Sequence, residues 1–275
     1  ICNDILLSAS SFSVEEFVPD RIRVKTELDK KFLRPGDKAI LSLNAMNFFG
    51  PPAANRKYES EIQLKQKAFN PEKFEGYDFS LANLNSFFDK QVKEGVTDAA
   101  GNAQFEYEVL STYQHTGVLQ VSFFTTVFDE TGRPVSRGTQ ADLFTQDVFL
   151  GVKNDWYYYY PLNQAVKFQL AAVNRDGQAV GTTARVEVIK HEYRTVLSKS
   201  GSYFRYESQR EDKQLVNGEL NVNGTTVYNY VPVTPGDYEV RFYAPGASSY
   251  ISRSFYSYGS WGNSNSSFEV NREGN

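Results

Sequence analysis

The stretch SSFSVEEFVPDRIRVKTEL, residues 10–28, holds two alternating runs laid end to end. Phe12 and Val14 point one way and Ser13 and Glu15 the other. After Glu16-Phe17-Val18-Pro19-Asp20 a second run sets Ile22, Val24, Thr26 and Leu28 against Arg21, Arg23, Lys25 and Glu27. Period-two alternation marks strands with one buried face. A hairpin between the runs would need a reversing turn such as Asn-Gly or Asp-Gly, and the step has neither. Pro19 instead fixes its own φ and biases Val18 towards an extended conformation. The step therefore reads as a short, stiff seam between two domains, with Phe17 expected to pack in the joint.

The same alternation recurs along the chain, in Ala39-Leu41-Leu43-Ala45, Ala103-Phe105-Tyr107-Val109, Leu119-Val121-Phe123, Phe168-Leu170-Ala172, Val186-Val188 and Tyr238-Val240-Phe242. Turn signals separate the runs: Pro35-Gly36-Asp37, Gly50-Pro51-Pro52, Ala100-Gly101-Asn102, Glu130-Thr131-Gly132, Arg175-Asp176-Gly177, Asn223-Gly224 and Pro235-Gly236-Asp237. Many short strands with regular turns predict an all-β chain of antiparallel sandwiches. Residues 70–94 carry a faint hint of helix. They are too long for a hairpin connection, and their aromatic and Leu residues predict an insertion packed on the first domain.

An internal repeat sets the spacing. SSFSV at 10–14 returns as SSFEV at 266–270, so Phe12 and Phe268 lie 256 residues apart. Half that spacing is the size of one sandwich, which places an internal seam in ADLFTQDVFLGVK, 141–153. Segments 35–65 and 161–190 share one grammar of turn, strand, glycine turn and strand. The expected layout is a tail of a preceding domain with linker over 1–20, a sandwich over 21–147 with an insertion at 70–94, and a second sandwich with exit segment over 148–275.

Composition narrows the function classes. The net charge of −4 gives no basic field, so nucleic acid is not an expected partner. No apolar run approaches the length of a membrane-spanning helix, and no direct membrane insertion is expected. The single cysteine, Cys2, allows no internal disulfide. Ile1-Cys2-Asn3 reads like a cut into a longer chain.

Cys2 could be a lipid-anchored terminus, but its strand runs straight into a domain end, as an ordinary residue would. His115 and His191 fall in different domains with no convergent ligands, which predicts loop or surface histidines and no metal site. Ser200-Gly201-Ser202 is a turn, not a nucleophile elbow. No phosphate or calcium loop is present. The run Trp156-Tyr157-Tyr158-Tyr159-Tyr160 could be a sugar platform. It reads better as a strand with one face in the core and the other against a neighbouring domain. Phe255 to Trp261 is its expected partner across the sandwich. The expected catalytic, cofactor and metal residues are none, and no enzyme activity is expected.

SFSVEEFVPDRIRV (11–24), followed by LRPGDKAILSLNAMNFFGPPAAN (33–55), resembles the bacterial α2-macroglobulin family. GVTDAAGNAQFEYEV (95–109) resembles that family's recurrent strand entered through an Asp-x-x-Gly turn, and SFYSYGSWGNSNSSFEVNREGN (254–275) the stretch leading to its bait region. The resemblance implies tandem macroglobulin-like domains, seven-stranded and fibronectin-like. It implies a periplasmic or cell-envelope location, a lipid anchor on the full-length protein, and protease trapping through a bait segment and a Cys-x-Glu-Gln thioester. Cys2 is followed by Asn3-Asp4-Ile5, so no thioester residue carries over. The implied role is framework, with proteases as partners of the full-length protein only and neighbouring macroglobulin-like domains as partners within the chain. The competing class is a carbohydrate-binding or adhesion module of tandem Ig-like domains, because fold alone does not decide function.

Overall fold

The computed structural model describes residues 21–259 except 83, 85–87, 89, 154–156 and 201–202. The seam at 14–20, with Phe17 and Pro19, lies outside the described residues, as do Cys2 and the SSFSV and SSFEV repeats. The first half folds as β1 (Ile22–Leu28), β2 (Phe32–Leu33), β3 (Lys38–Asn47), β4 (Lys57–Gln66), β5 (Tyr77–Asp78), β6 (Gln91–Val96), β7 (Asn102–Glu108), β8 (Val118–Phe128) and β9 (Pro134–Phe144). The second half adds β10 (Phe149–Lys153), β11 (Tyr159–Pro161), β12 (Val166–Val173), β13 (Gly181–Ser200), β14 (Tyr203–Asn223), β15 (Thr225–Tyr230), β16 (Gly236–Tyr243) and β17 (Tyr250–Tyr258).

Two sandwiches result. In the first, the sheet β1-β3-β7 faces the sheet β2-β9-β8-β4-β6. Leu41 and Ala39 from one sheet meet Ile62, Leu119, Phe123 and Leu143 from the other, all fully buried. Tyr107 sets its ring edge-on to Phe123 at 5.5 Å. In the second, β15-β12-β10-β5 faces β11-β17-β16-β13-β14. Its core holds Phe168, Phe242 and Val186, with Tyr238 stacked on Phe255 at 5.1 Å. The Tyr238 hydroxyl donates to the Thr234 carbonyl at 2.6 Å, so the ring is buried without a stranded polar group. The alternating positions read from the sequence are the inward ones, because only the faces that meet the opposite sheet can be apolar.

The chain is all-β and folds as sandwiches, as expected, and two short strands add parallel pairs to the antiparallel sheets: β2 runs parallel to β9, and β11 parallel to β17. In the first case fully buried Leu33 closes the gap between the two sheets, which draws its two-residue strand across. The helical hint in 70–94 comes to one 3₁₀ turn, Glu72–Phe74, bounded by extended Pro71 and by Gly76 at φ 80°.

One turn is used three times, twice in the first sandwich and once in the second. Asp98, Asp129 and Asn174 each accept, on one side-chain oxygen, the backbone N–H groups two and four residues on. In each, the glycine three residues on donates to the carbonyl of that same Asp or Asn at 3.0 Å. The side chain thus replaces a backbone acceptor and holds the reversal. Gly101, in the first of these turns, has φ +77°, and its carbonyl accepts from Ala45 N–H at 2.8 Å. A Cβ there would come within 2.2 Å of the Ala45 carbonyl oxygen, whereas at Gly132, with φ +80°, it would meet open space. Gly101→Ala is expected to cost about 2 kcal/mol or more in urea unfolding, and Gly132→Ala only about 1 kcal/mol for the left-handed backbone. Equal losses would mean that the Ala45 backbone moves aside.

Candidate functional site

The residues with the most to do are at the joint. The chain leaves β4 with Lys67 N–H donating to the Val118 carbonyl at 2.9 Å, then crosses to the second sandwich. Pro71 seats on the turn at Gly177, where a Cβ would approach its own Cβ to 2.9 Å. Phe69 packs on Phe149 at 4.5 Å and edge-on to Phe79 at 5.5 Å. β5 then joins the second sandwich as an edge strand, with Tyr77 and Asp78 opposite Lys153 and Val152. Phe79 lies over Gly151, so close that a Cβ there would stand 2.6 Å from the ring. Leu81 packs against the second core, and Ala82 N–H donates to the Tyr250 carbonyl at 2.8 Å. Phe88, edge-on to Tyr113 at 5.5 Å, then brings the segment back to the first core, and β6 pairs with β4.

The expectation that 70–94 packs on the first domain is therefore corrected for Pro71 to Ala82. Counting aromatic residues shows that a segment must be buried, not against which body. A signal was present in Gly151, a glycine inside the apolar run Phe149-Leu150-Gly151-Val152, because a strand glycine often marks close approach by another chain segment.

Direct contacts complete the joint. Phe144 packs edge-on to Phe149 at 6.3 Å, and the Arg175 guanidinium lies 4.0 Å above the Phe32 ring. In the short connection between β9 and β10, the Thr145 hydroxyl donates to the Gly117 carbonyl at 2.7 Å and accepts from Thr116 N–H at 3.0 Å. The Ser249 hydroxyl donates to the His115 carbonyl. His115, at φ 60°, is thus a backbone element of the joint. Beside it lies an open cleft of about 430 Å³, lined by residues of both sandwiches including Arg34, His115, Asp147 and Pro245.

Asp78 fixes the charge at this joint. Its carboxylate takes Arg253 at 2.9 Å and Ser80 N–H at 2.9 Å. Burial works against the charge, but the Ser80 hydrogen bonds and the Arg253 guanidinium outweigh it and hold the carboxyl below its ordinary value.

The outer face of the five-stranded sheet in the second sandwich is a charged and aromatic lattice. Tyr243 donates to Glu187 at 2.7 Å while Arg185 lies 3.7 Å over the Tyr243 ring and pairs with Glu187. Burial, with Glu187 as acceptor, pushes the Tyr243 phenol up to about 12. His191 bonds Asp212 at 2.8 Å and faces Glu239 at 3.6 Å. The Arg210 hydrogen bonds, with His191 helping, hold Asp212 at about 2. His191 is a member of this lattice and not a loop residue. The carboxylates are each matched by cations, and among the described residues no group of three or more His, Cys, Asp or Glu forms a metal site.

The aromatic run divides. Trp156 lies outside the described residues. Tyr160 packs edge-on to Phe255 at 5.7 Å in the core. Tyr158 donates to Asp237 at 3.2 Å, and its ring stands at 88° to that of Tyr159, so the two form no flat platform. Tyr159 is 66% exposed and packs on Tyr256 at 6.1 Å. β17 is therefore the lateral neighbour of this strand in one sheet, not its partner across the sandwich, and Trp261 lies outside the described residues. Ser200 ends β13, and 201–202 are outside the described residues. Among the described residues no helix is long and apolar enough to cross a membrane.

Two antiparallel-dominated sheets facing each other in each half define tandem β-sandwich domains of the Ig- and fibronectin-like kind. Residues 20–144 match the family model of the bacterial alpha-2-macroglobulin MG5 domain, and residues 151–259 that of bacterial macroglobulin domain 6. The chain belongs to the bacterial α2-macroglobulin family. An alpha-2-macroglobulin of Pasteurella multocida is 26% identical over 251 residues, which is 86% of this chain and 13% of that protein. The native E. coli alpha-2-macroglobulin superposes with a TM-score of 0.61 at 17% identity, over 90% of this chain and 16% of that one. The trypsin-activated E. coli protein superposes with a TM-score of 0.59 at 18% identity, over 90% and 17%. The chain thus spans only about an eighth to a sixth of these relatives.

The joint predicts an acid dependence. A carboxyl whose folded pKa is depressed stabilises the fold above its unfolded value of about 4 and loses that contribution as pH falls through the folded value. Asp78→Asn is expected to melt lower than the parent at pH 7, with the gap closing as pH falls below about 4. A gap that stays constant down to pH 2 would show that Asp78 contributes through shape and not charge.

Proposed function

We propose that this chain is framework of a bacterial protease trap: two macroglobulin-like domains, over about 21–147 and from 148 onward, that hold the reactive parts of a longer inhibitor at set distances. The observation that carries this reading is the shared segment, in which Pro71–Ala82 of the first unit completes the second. A connection that only tethered two domains would not be built into the second one's sheet and core. The family implies a periplasmic or cell-envelope location and a lipid anchor on the longer protein, and proteases as partners of that protein. The perpendicular Tyr158 and Tyr159 rings weigh against a sugar platform.

The test compares this chain with the longer polypeptide that contains it. The isolated 275-residue chain is expected to take up no radiolabelled methylamine and to leave trypsin activity on a protein substrate unchanged. The longer protein is expected to lower that activity. Covalent capture of trypsin by the isolated chain would overturn the framework reading. Saturable quenching of its tryptophan fluorescence by a soluble glycan would hand the case to the carbohydrate-binding alternative.

A further inference from the structure

The outer face of the sheet β1-β3-β7 carries positive charge that nothing nearby balances. On β1, Arg23 and Lys25 alternate with buried Ile22 and Val24, so both stand outward, exposed and in no ion pair among the described residues. Arg137, on β9, reaches the open edge of β1, where its Nε donates to the Val24 carbonyl at 3.3 Å. It too has no carboxylate partner among the described residues. At the far end of the same face the pattern is the opposite: Lys38 pairs with Glu106 at 2.9 Å.

These side chains line a continuous hollow. A groove of about 670 Å³ passes over Lys25, Asn44, Asn102, Gln104 and Arg137, and Glu27 is the one carboxylate among its described lining residues. It shares Lys25 and Asn44 with a smaller cleft of about 180 Å³, which continues past Arg23 and Met46 to Phe48 and has no carboxylate among its described lining residues. Carboxamides and a hydroxyl pave the floor: Asn44 Nδ2 donates to Asn102 Oδ1 at 2.8 Å, and Gln104 Nε2 to Ser42 Oγ at 3.2 Å. Arg23 and Lys25 stand two residues apart, ~6.6 Å, which is also the spacing of alternate side chains on an extended peptide.

The cleft ends at an aromatic knob. Phe48 and Phe49, at the turn between β3 and β4, are 59% and 94% exposed, with their rings edge-on at 5.6 Å. The turn is pinned. Phe48 N–H donates to the Arg21 carbonyl at 2.8 Å, Asn47 N–H to the Pro51 carbonyl at 2.8 Å and Gly50 N–H to the Asn47 carbonyl at 3.0 Å. Asn47 Nδ2 adds a bond to the Pro52 carbonyl at 3.1 Å. Two rings held out in water gain nothing within the fold, and a turn ordered beforehand loses little entropy on binding.

We propose that this hollow docks an extended acidic segment that carries an apolar residue at one end, supplied by a part of the longer polypeptide outside this chain. Alternate carboxylates of that segment meet Arg23 and Lys25, and its apolar side chain packs on Phe48. Charge complementarity selects the acidic ligand, because a carboxylate satisfies both the guanidinium fork and the ammonium. The source rests on the framework reading, in which these sandwiches hold other parts of one polypeptide; the chain spans only about an eighth to a sixth of its relatives. A flat anionic bilayer fits less well. Arg23 pairs with Met46 and Lys25 with Asn44, so both cations lie behind the tip, within the hollow, and not around it.

The test is fluorescence anisotropy with the fluorescein-labelled peptide Glu-Ser-Glu-Ser-Glu-Phe-Phe as the probe. The 275-residue chain is expected to bind it saturably and more weakly as ionic strength rises, and not to bind the counterpart with Lys in place of Glu. Arg23→Ser/Lys25→Ser and Phe48→Ser/Phe49→Ser are each expected to lose at least about tenfold in affinity. Lys65→Ser/Lys93→Ser, which removes the same charge from the opposite sheet, is expected to bind as the parent does. All the substituted side chains are exposed, and melting temperature checks that both sandwiches stay folded. The longer protein, with its hollow already filled, is expected to bind the probe at least about tenfold more weakly than this chain. No saturable binding, or an equal loss in the Lys65→Ser/Lys93→Ser variant, would overturn the docking surface. The framework reading would survive that result, since the methylamine and trypsin assays test it separately. Equal binding by the longer protein would overturn the assignment of the segment to that polypeptide. Co-sedimentation of the chain with phosphatidylglycerol vesicles, lost in Phe48→Ser/Phe49→Ser, would give the tip to a membrane instead.

Discussion

The architecture turns on one contact, the Phe79 ring laid over Gly151. Phe79, 8% exposed, lies in one cluster with Val118 of the first sandwich and with Phe149, Ala171 and Val173 of the second. It can lie there only because β10 presents no side chain at that position. Phe69 and Phe149 pack around it, and β5 is thereby brought within pairing distance of Val152 and Lys153. Asp78 then meets Arg253, whose own strand lies in the opposite sheet of the second sandwich, so one excursion ties both of its sheets to the first body. Burying an aromatic ring of this size is worth about 2–3 kcal/mol, a sizeable fraction of the roughly 5–15 kcal/mol that holds a whole domain folded.

The polar outer face of the second sandwich follows a different logic. Glu187, Glu239, Asp212 and His191 sit on a face that has no opposing sheet, yet the first two are 9% exposed. Guanidinium groups stacked on Tyr243 and Tyr250 cover them. Salt bridges of this kind are modest in isolation and stronger as a hydrogen-bonded network. The lattice ends where β13 and β14 run on past β16. Beyond His191 the same face changes from paired charges to exposed side chains such as Tyr193, Leu197 and Tyr206.

Much of this was legible beforehand. Inward residues such as Leu41, Phe123, Phe168 and Tyr238 were read from alternation, because a one-residue slip in register would have exposed each set. The Asp-x-x-Gly turns were legible because the chemistry that closes them is local. Three features were not. The destination of Pro71–Ala82 depends on a partner 70 residues away in sequence, for which Gly151 was the single local sign. The length of the β13–β14 hairpin was hidden because its outer half mixes charges and aromatics with no buried face to enforce a pattern. The lateral pairing of Tyr159 with Tyr256 was mistaken for a facing one, since alternation assigns a side but not a neighbour. The expected absence of a catalytic centre rests on side-chain spacing in the sequence.

The central claim is that the two sandwiches form one cooperative body through the Phe79 contact. Differential scanning calorimetry of this chain and of its Phe79→Ala variant tests it most directly. The account predicts a single transition for the parent, with calorimetric and van't Hoff enthalpies equal. In the variant, a loss of about 3 kcal/mol at the joint should separate the sandwiches into two transitions. Two transitions in the parent, or an unsplit transition in the variant at an unchanged temperature, would contradict it.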